Sequence, residues 1–167
     1  MPRKQSLRSI LRNIKLLLLD VDGVMTDGGI YSTNSGDELK KFNAHDGYGI
    51  VKLQRAGIKV GIITGRLSKI VERRAIELGI TDVYQNFENK IVAYESLKKK
   101  YTIDDRNIAY IGDDEFDLPV LQCVGFPAAP ADAMPAVKKH VLYICTRGGG
   151  GGAVREVIDL ILKNQTQ

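Results

Sequence analysis

The chain has 167 residues, of which 44% are hydrophobic and 26% are charged, a composition typical of a globular protein with one hydrophobic core. No apolar run approaches the roughly 18 residues of a membrane span, and the first residues lack the apolar region of a signal peptide. The net charge is +4, but residues 1–15 hold five basic residues and no acidic one, so a surface that binds nucleic acid is not expected. We predict a basic leader at residues 1–13 and a single domain at residues 14–167.

Apolar runs typical of strands alternate along the chain with patterns typical of helices. Strands are predicted at residues 14–19, 59–63, 83–84, 108–111 and 141–144. Helices are predicted at residues 48–55, 68–78, 89–100, 115–122 and 153–162. This alternation indicates an α/β fold in which a Rossmann-like parallel sheet lies between two layers of helices.

Three segments depart from this alternation. Residues 28–42 have the strand, turn and strand pattern of a projecting β-hairpin. Residues 126–135 are rich in alanine and proline, and we predict a loop there. Residues 148–152 are five consecutive glycines, for which we predict a mobile hinge before the last helix.

The two cysteines predict the redox state of the chain. Cys123 and Cys145 lie in apolar surroundings and lack CxxC spacing. We therefore expect buried, reduced thiols, as found in cytoplasmic proteins.

Groups suited to chemistry follow four successive predicted strands. Because ligands of open α/β sheets bind at the carboxyl ends of the strands, we expect these groups to meet at one edge. Together they offer a carboxylate nucleophile, a hydroxyl donor, a cation and acids for a hard metal ion, which is what phosphoryl transfer requires. They are Asp20 and Asp22, then Thr64-Gly65-Arg66, then Lys90, and finally Asp113, Asp114 and Asp117.

The spacing of the first two acids predicts a different catalytic role for each of them. Side chains two residues apart in a turn after a strand reach one substrate from the same side, so Asp20 is predicted to attack phosphorus while Asp22 protonates the leaving oxygen. Acids crowded together repel one another unless a cation binds, and Mg²⁺ is the hard, oxygen-seeking ion that suits such ligands.

The order of the motifs DxDG, TG, Lys and GDDxxD resembles that of the haloacid dehalogenase superfamily over roughly residues 14–162. The resemblance implies that Asp20 is the nucleophile and a Mg²⁺ ligand, and that Asp22 is the acid and base with its backbone carbonyl on the metal. It implies that Asp113 is the third metal ligand. The other implied roles are phosphoryl binding by Thr64 and Lys90 and support of the metal site by Asp114 and Asp117.

The chain has no room for the cap domain that many members of this superfamily insert. Only 41 residues separate Asp22 from Thr64, and 25 separate Thr64 from Lys90. The sequences DGVMTDG at residues 22–28, FNAHDG at 42–47, TGRLS at 64–68 and GGAVRE at 151–156 resemble a capless subgroup of sugar acid phosphatases. The resemblance implies a cytoplasmic homotetramer in which neighbouring subunits complete the site.

The resemblance also implies a substrate from lipopolysaccharide precursor synthesis. Arg66 favours 3-deoxy-D-manno-octulosonate 8-phosphate, whereas relatives acting on nine-carbon keto sugar acid 9-phosphates tend to have Glu at that position. A non-catalytic tetramerisation module, like those fused to sugar-nucleotide synthetases, is the further alternative. Asn86 departs from the subgroup, in which many members have glycine there. The implied substrate-binding residues are Gly23, Asp46, Gly65, Arg66 and Arg147.

Overall fold

The computed structural model describes residues 6–165, which form a parallel sheet with helices on both faces. The strands of this sheet are β1 (Leu16–Leu19), β4 (Lys59–Ile63), β5 (Asp82–Tyr84), β6 (Ile108–Ile111), β7 (Phe126–Ala129) and β8 (Tyr143–Ile144). Their order across the sheet is β5-β4-β1-β6-β7-β8, and every neighbouring pair is parallel. Strands β2 (Tyr31–Ser32) and β3 (Glu38–Leu39) pair separately as the predicted antiparallel hairpin. The predicted α/β fold class is confirmed.

The helices cover both faces of the sheet. They are α1 (Leu7–Arg12), α2 (Ala44–Arg55), α3 (Lys69–Leu78), α4 (Lys90–Tyr101), α5 (Leu118–Leu121), α6 (Pro135–Lys138) and α7 (Ala153–Gln165). Short 3-10 turns lie at Asp105–Asn107 and Glu115–Asp117. None of the helices within residues 6–165 is both long enough and apolar enough to cross a membrane.

The four leucines of β1 explain why this strand lies at the centre of the molecule. Successive side chains of a strand point to opposite faces. Leu17 and Leu19 accordingly pack into the core with α1, α2, α3 and α7, whereas Leu16 and Leu18 pack into the core with α4, α5 and α6. All four are fully buried, so β1 ends inside the molecule and the residues that follow it are held rigidly.

Several sequence predictions about the framework need correction. Residues 126–129 were predicted as loop but form β7, with Pro127 paired opposite Tyr110. Proline argues against a strand because it lacks an N–H donor, but here its carbonyl accepts a hydrogen bond from the Leu142 N–H at 3.0 Å. The helix predicted at residues 115–122 is divided into a 3-10 turn and α5, and Cys123 is exposed while Cys145 is buried.

The segment predicted as a basic leader contains a helix. Ser6 caps α1 by accepting a hydrogen bond from the Ser9 N–H, and Leu11 is buried. At the other end of the chain, the Gln165 side-chain amide donates to the carbonyls of Leu11 and Ile14 at 3.0 and 3.1 Å. Helix α1 therefore packs against the end of α7, while residues 1–5 lie outside the described range.

The glycine run at residues 148–152 is an ordered, closely packed loop, so the predicted mobile hinge is wrong. The Gly150 N–H donates to the Val24 carbonyl at 3.0 Å, and the Gly149 N–H donates to Asp132 Oδ1 at 2.9 Å. A Cβ atom at Gly149 would lie 1.9 Å from the Gly23 carbonyl oxygen. Glycine is required here because two backbone segments touch.

Candidate active site

The carboxyl ends of β1, β4, β5 and β6 enclose a cavity of about 570 Å³. Among the residues that line it are most of those predicted from the four motifs, which the parallel sheet brings to one edge. The lining residues are Asp20, Asp22, Thr64, Gly65, Arg66, Phe87, Glu88, Lys90, Asp113, Asp114, Phe116 and Asp117.

Lys90 connects two of the motifs from the first position of α4. Its ammonium nitrogen lies 2.8 Å from Asp20 Oδ1 and 2.6 Å from Asp117 Oδ1. Burial lowers the pKa of Lys90, but Asp20 and Asp117 outweigh it, so the pKa is raised and the side chain is a cation. A lysine at a helix start conflicts with the helix dipole, and the structure shows the anionic partners that compensate for it.

Asp117 is fully buried and is the hub of the second acidic motif. Its Oδ1 accepts hydrogen bonds from Lys90 and from the hydroxyl of Tyr110. Its Oδ2 accepts from the backbone N–H groups of Asp113 and Asp114, at 2.9 and 3.2 Å. Because both oxygens are already occupied by donors, Asp117 is suited to supporting the site rather than to binding a metal ion directly.

Tyr110 was not recognised from the sequence. Its side chain is fully buried on the α4 face of the sheet, and its hydroxyl lies 3.4 Å from the Lys90 nitrogen. Burial, and then the charge of Asp117, raise its pKa well above the usual value. The available signal was a hydroxyl-bearing residue in an otherwise aliphatic strand, directly before Ile111-Gly112-Asp113.

The carboxyl groups of Asp20 and Asp113 are crowded together in a buried site. Burial raises the pKa of Asp20 to about 7, and the charge of Asp117 adds to this effect while Lys90 opposes it. Burial likewise raises the pKa of Asp113 to about 8, followed by the charges of Asp20 and Asp117. Two such carboxyl groups are not both ionised near neutral pH without a further cation.

The same carboxyl groups fit a divalent metal ion. One oxygen each from Asp20 and Asp113 lie within 4.8 Å of each other and of one oxygen of the supporting Asp117, and Asp113 Oδ1 is buried without a hydrogen-bond partner. Gly23 leaves the room they need, because a Cβ atom there would lie 2.0 Å from Asp113 Oδ2. Unsatisfied hard oxygen donors of this kind suit Mg²⁺.

Asp22 lines the same cavity and contacts two cations. Lys40 on the hairpin donates to Asp22 Oδ1 at 2.6 Å, and Arg66 lies 3.8 Å from Asp22 Oδ2. Glu38 joins the two cations, at 2.8 Å from Arg66 and 3.5 Å from Lys40. Arg66 was expected to bind substrate, and in this chain it pairs with Glu38 of its own hairpin. The sequence reasoning missed Lys40 and Glu38.

Thr64 is buried where β4 ends, and its backbone is tied to the loop after β5. The Thr64 N–H donates to the Tyr84 carbonyl at 2.9 Å, and the Phe87 N–H donates to the Thr64 carbonyl at 3.2 Å. Asn86 lies between them with a φ of 61°, in the left-handed region that asparagine tolerates better than most residues. Asparagine thus takes the backbone conformation for which glycine is the usual choice.

Asp46 and Arg147 do not line this cavity. Asp46 is buried and accepts a hydrogen bond from the Arg155 N–H, in the first turn of α7, at 2.8 Å. Burial raises its pKa, and the backbone N–H groups of Arg155 and Gly152 oppose the shift. Arg147 is exposed beside a separate cavity with His45. Their positions in this chain give no support to the predicted substrate-binding role, and Asp46 instead anchors the start of α7.

Comparison with known proteins places this site in a family. Residues 67–158 match the model of the haloacid dehalogenase-like hydrolases. The chain is 51% identical over 153 residues to the 3-deoxy-D-manno-octulosonate 8-phosphate phosphatase of Escherichia coli (strain K12), covering 92% of this chain and 81% of that protein.

Solved structures agree with this assignment. The Yersinia pestis 3-deoxy-D-manno-octulosonate 8-phosphate phosphatase has a TM-score of 0.93 and 50% identity, covering 95% of this chain and 85% of that one. The Moraxella catarrhalis phosphatase, solved with magnesium, phosphate and KDO, has a TM-score of 0.92 and 42% identity, covering 95% of this chain and 91% of that one.

The parallel sheet and its acidic edge thus define a hydrolase of the haloacid dehalogenase type. Within that class, the chain belongs to the family of 3-deoxy-D-manno-octulosonate 8-phosphate phosphatases.

Proposed function

We propose that Asp20 is the nucleophile with which this phosphatase hydrolyses 3-deoxy-D-manno-octulosonate 8-phosphate to the free sugar acid and phosphate. The observation that carries the proposal is the position of the Asp20 carboxyl group. It lies at the end of a rigid buried strand, is held by Lys90 at 2.8 Å, and faces a cavity of about 570 Å³ beside Asp113. A carboxylate fixed in this way is suited to in-line attack on a bound phosphoryl group.

The reaction proceeds in two steps. In the first, an Asp20 oxygen forms a bond to phosphorus, the bond from phosphorus to the sugar oxygen breaks, and Asp22 gives that oxygen a proton. In the second, Asp22 takes a proton from water, the water oxygen attacks phosphorus, and the acyl phosphate bond to Asp20 breaks. The products are the sugar acid, phosphate and the original Asp20 carboxylate.

The remaining residues of the cavity bind and neutralise the phosphoryl group. We assign phosphoryl contacts to Thr64, Lys90 and the loop at Gly65, all of which line the cavity. Asp20 and Asp113, with the backbone carbonyl of Asp22, would hold Mg²⁺, which supplies positive charge next to the phosphoryl oxygens. Asp114 and Asp117 support this arrangement, and Gly23 leaves room for it.

Substrate choice is assigned to the exposed side of the cavity. Arg66 lies at its rim with 47% of its side chain exposed, and a guanidinium group can pair with a substrate carboxylate through two parallel hydrogen bonds. The decisive assay is phosphate release with Mg²⁺ from 3-deoxy-D-manno-octulosonate 8-phosphate and from a nine-carbon keto sugar acid 9-phosphate. The proposal requires the higher kcat/KM for the eight-carbon substrate, and a preference for the nine-carbon substrate would contradict it.

We also propose that the enzyme is a cytoplasmic homotetramer in lipopolysaccharide precursor synthesis and that the hairpin meets a neighbouring subunit. Within residues 6–165 no cap covers the cavity, and the hairpin exposes 64% of Ile30 and 60% of Leu39. Exposed apolar side chains clustered on one projection are typical of an interface. In light scattering, Leu39→Asp should form smaller particles than wild type. In the phosphate-release assay, its activity should be lower than that of wild type. Ile76→Asp, on exposed α3, is the matched control.

A further inference from the structure

We propose that Lys40 is a positioning residue of the reaction, which acts through the hydrogen bond that its ammonium group donates to Asp22. This inference rests on the proposed role of Asp22 as the acid that protonates the leaving oxygen. It adds a function for the hairpin within its own chain, because Lys40 lies directly after β3.

The burial of Lys40 is unusual for its location. Only 2% of its side chain is exposed, although the neighbouring hairpin residues Leu39 and Lys41 are exposed. Lysine is almost never buried without a partner. The ammonium nitrogen has its partner in Asp22 Oδ1 at 2.6 Å, the length of a strong charge-assisted hydrogen bond.

The surrounding charges balance in a closed ring. Asp22 contacts both Lys40 and Arg66, and Glu38 contacts the same two cations, so two acidic side chains pair with two basic side chains of opposite charge. Because Glu38 and Lys40 both belong to the hairpin, the hairpin is attached to the site through this ring. A hairpin docked in this way fixes the orientation of the Asp22 side chain relative to the cavity.

The contact uses only one oxygen of Asp22. Lys40 binds Oδ1, whereas Oδ2 is 3.8 Å from Arg66, beyond hydrogen-bond distance. Since Asp22 also lines the cavity, Oδ2 is the oxygen left to exchange a proton with the substrate. Lys40 therefore selects which oxygen of Asp22 faces the reacting bond, and its loss would leave that carboxyl group free to rotate.

A positioning role and a purely structural role differ in their dependence on the leaving group. An alkyl phosphate, such as the sugar phosphate itself, needs a proton on its leaving oxygen, whereas p-nitrophenyl phosphate releases a stable phenolate without one. The constant kcat/KM reports the steps up to the first phosphoryl transfer and is insensitive to the later hydrolysis. The ratio of kcat/KM for the two substrates thus isolates protonation by Asp22.

The experiment compares Lys40→Met with Asp22→Asn, wild type and Lys41→Met. The Lys40→Met side chain replaces the aliphatic part of lysine but lacks the terminal ammonium group, and Lys41 is the exposed neighbour that serves as the matched control. In Lys40→Met we expect kcat/KM for the sugar phosphate to fall about tenfold or more, within the range that acid catalysis supplies, and the value for p-nitrophenyl phosphate to change little. Lys40→Arg, which restores the charge, should recover part of the loss, and Lys41→Met should match wild type.

The other possible outcomes would contradict either the proposed role of Lys40 or the proposed role of Asp22. An equal fall with both substrates, or no fall at all, in Lys40→Met would show that Lys40 is only a structural anchor and would overturn the inference. If Asp22→Asn itself shows no selective loss on the sugar phosphate, the proposed acid role of Asp22 is wrong. Thermal melting reports whether the variants fold, and Lys40→Gln, a smaller neutral replacement, gives the same ratio if Lys40→Met is unstable.

Discussion

A methyl group added at Gly149 tests whether the glycine run is a packed loop or a linker. In Gly149→Ala the new Cβ would lie 1.9 Å from the Gly23 carbonyl oxygen, 2.4 Å from the Gly23 carbonyl carbon and 2.8 Å from the Thr26 carbonyl oxygen. All three atoms belong to backbone, so no side-chain rotation relieves the overlap. Overpacking usually costs about 1–3 kcal/mol, and a collision with backbone belongs at the upper end, at about 3 kcal/mol.

The assay is thermal unfolding followed by circular dichroism. For a domain of this size each kcal/mol lowers Tm by about 2–4 °C, so Gly149→Ala should melt about 6–12 °C below wild type. Its kcat should also fall, because Gly23 packs directly against Asp113. Gly151→Ala is the control, since Gly151 is exposed and the atom nearest to a Cβ added there, the Gly148 carbonyl oxygen, is 3.2 Å away. A Gly149→Ala protein that melts within about 1 °C of wild type would refute the packing argument.

Three further predictions address the site. Asp20→Asn should fold as wild type but retain less than about 1% of its kcat, because an amide cannot form the acyl phosphate, and residual turnover above that level would exclude Asp20 as nucleophile. The control Glu115→Gln, on an exposed turn, should stay active. The pKa values of Asp20 and Asp113 are raised to about 7 and about 8, so the metal-free fold loses stability as pH rises from about 4 through 8. The gain in Tm from Mg²⁺ should therefore be larger at pH 8.5 than at pH 6, and an equal gain at both would argue against these carboxyl groups as ligands. Asp46→Ala should lower the free energy of unfolding by about 1–3 kcal/mol, because the first turn of α7 loses its acceptor, without changing KM; a raised KM with unchanged stability would instead support substrate binding.

The central strands and the motifs after them were predictable because their signals are local. The leucines of β1 are an uninterrupted apolar run, and Lys59–Ile63 and Ile108–Ile111 have the bounds that the sequence predicts. Once strands and helices alternate, the parallel topology brings their carboxyl ends together, and the acids of two distant motifs must meet. Gly79 likewise ends α3 with a φ of 70°, as a glycine after a helical pattern predicts.

The missed features depend on contacts between distant segments. Strand β7 is short and contains Pro127, and only its place between β6 and β8 makes it a strand. Five glycines in a row have the composition of a linker, and nothing local indicates that Gly23 lies against them. Lys40 resembles any other charged hairpin residue until the fold places Asp22 beside it. In each case the tertiary partner, not the local propensity, determines the structure.

The packing of the glycine run against the loop after β1 has a consequence for synthesis of the chain. Asn43 reaches the Gly150 carbonyl across 107 positions, and Asp46 reaches the Arg155 N–H across 109. Such contacts form late, because the loop they close must first be ordered. A growing chain on the ribosome carries Asp20 and Asp113 well before residues 148–165 emerge, but the loop that bears Gly23 lacks its contacts with the glycine run until they do. The arrival of residues 148–165 therefore determines when the loop after β1 becomes fixed.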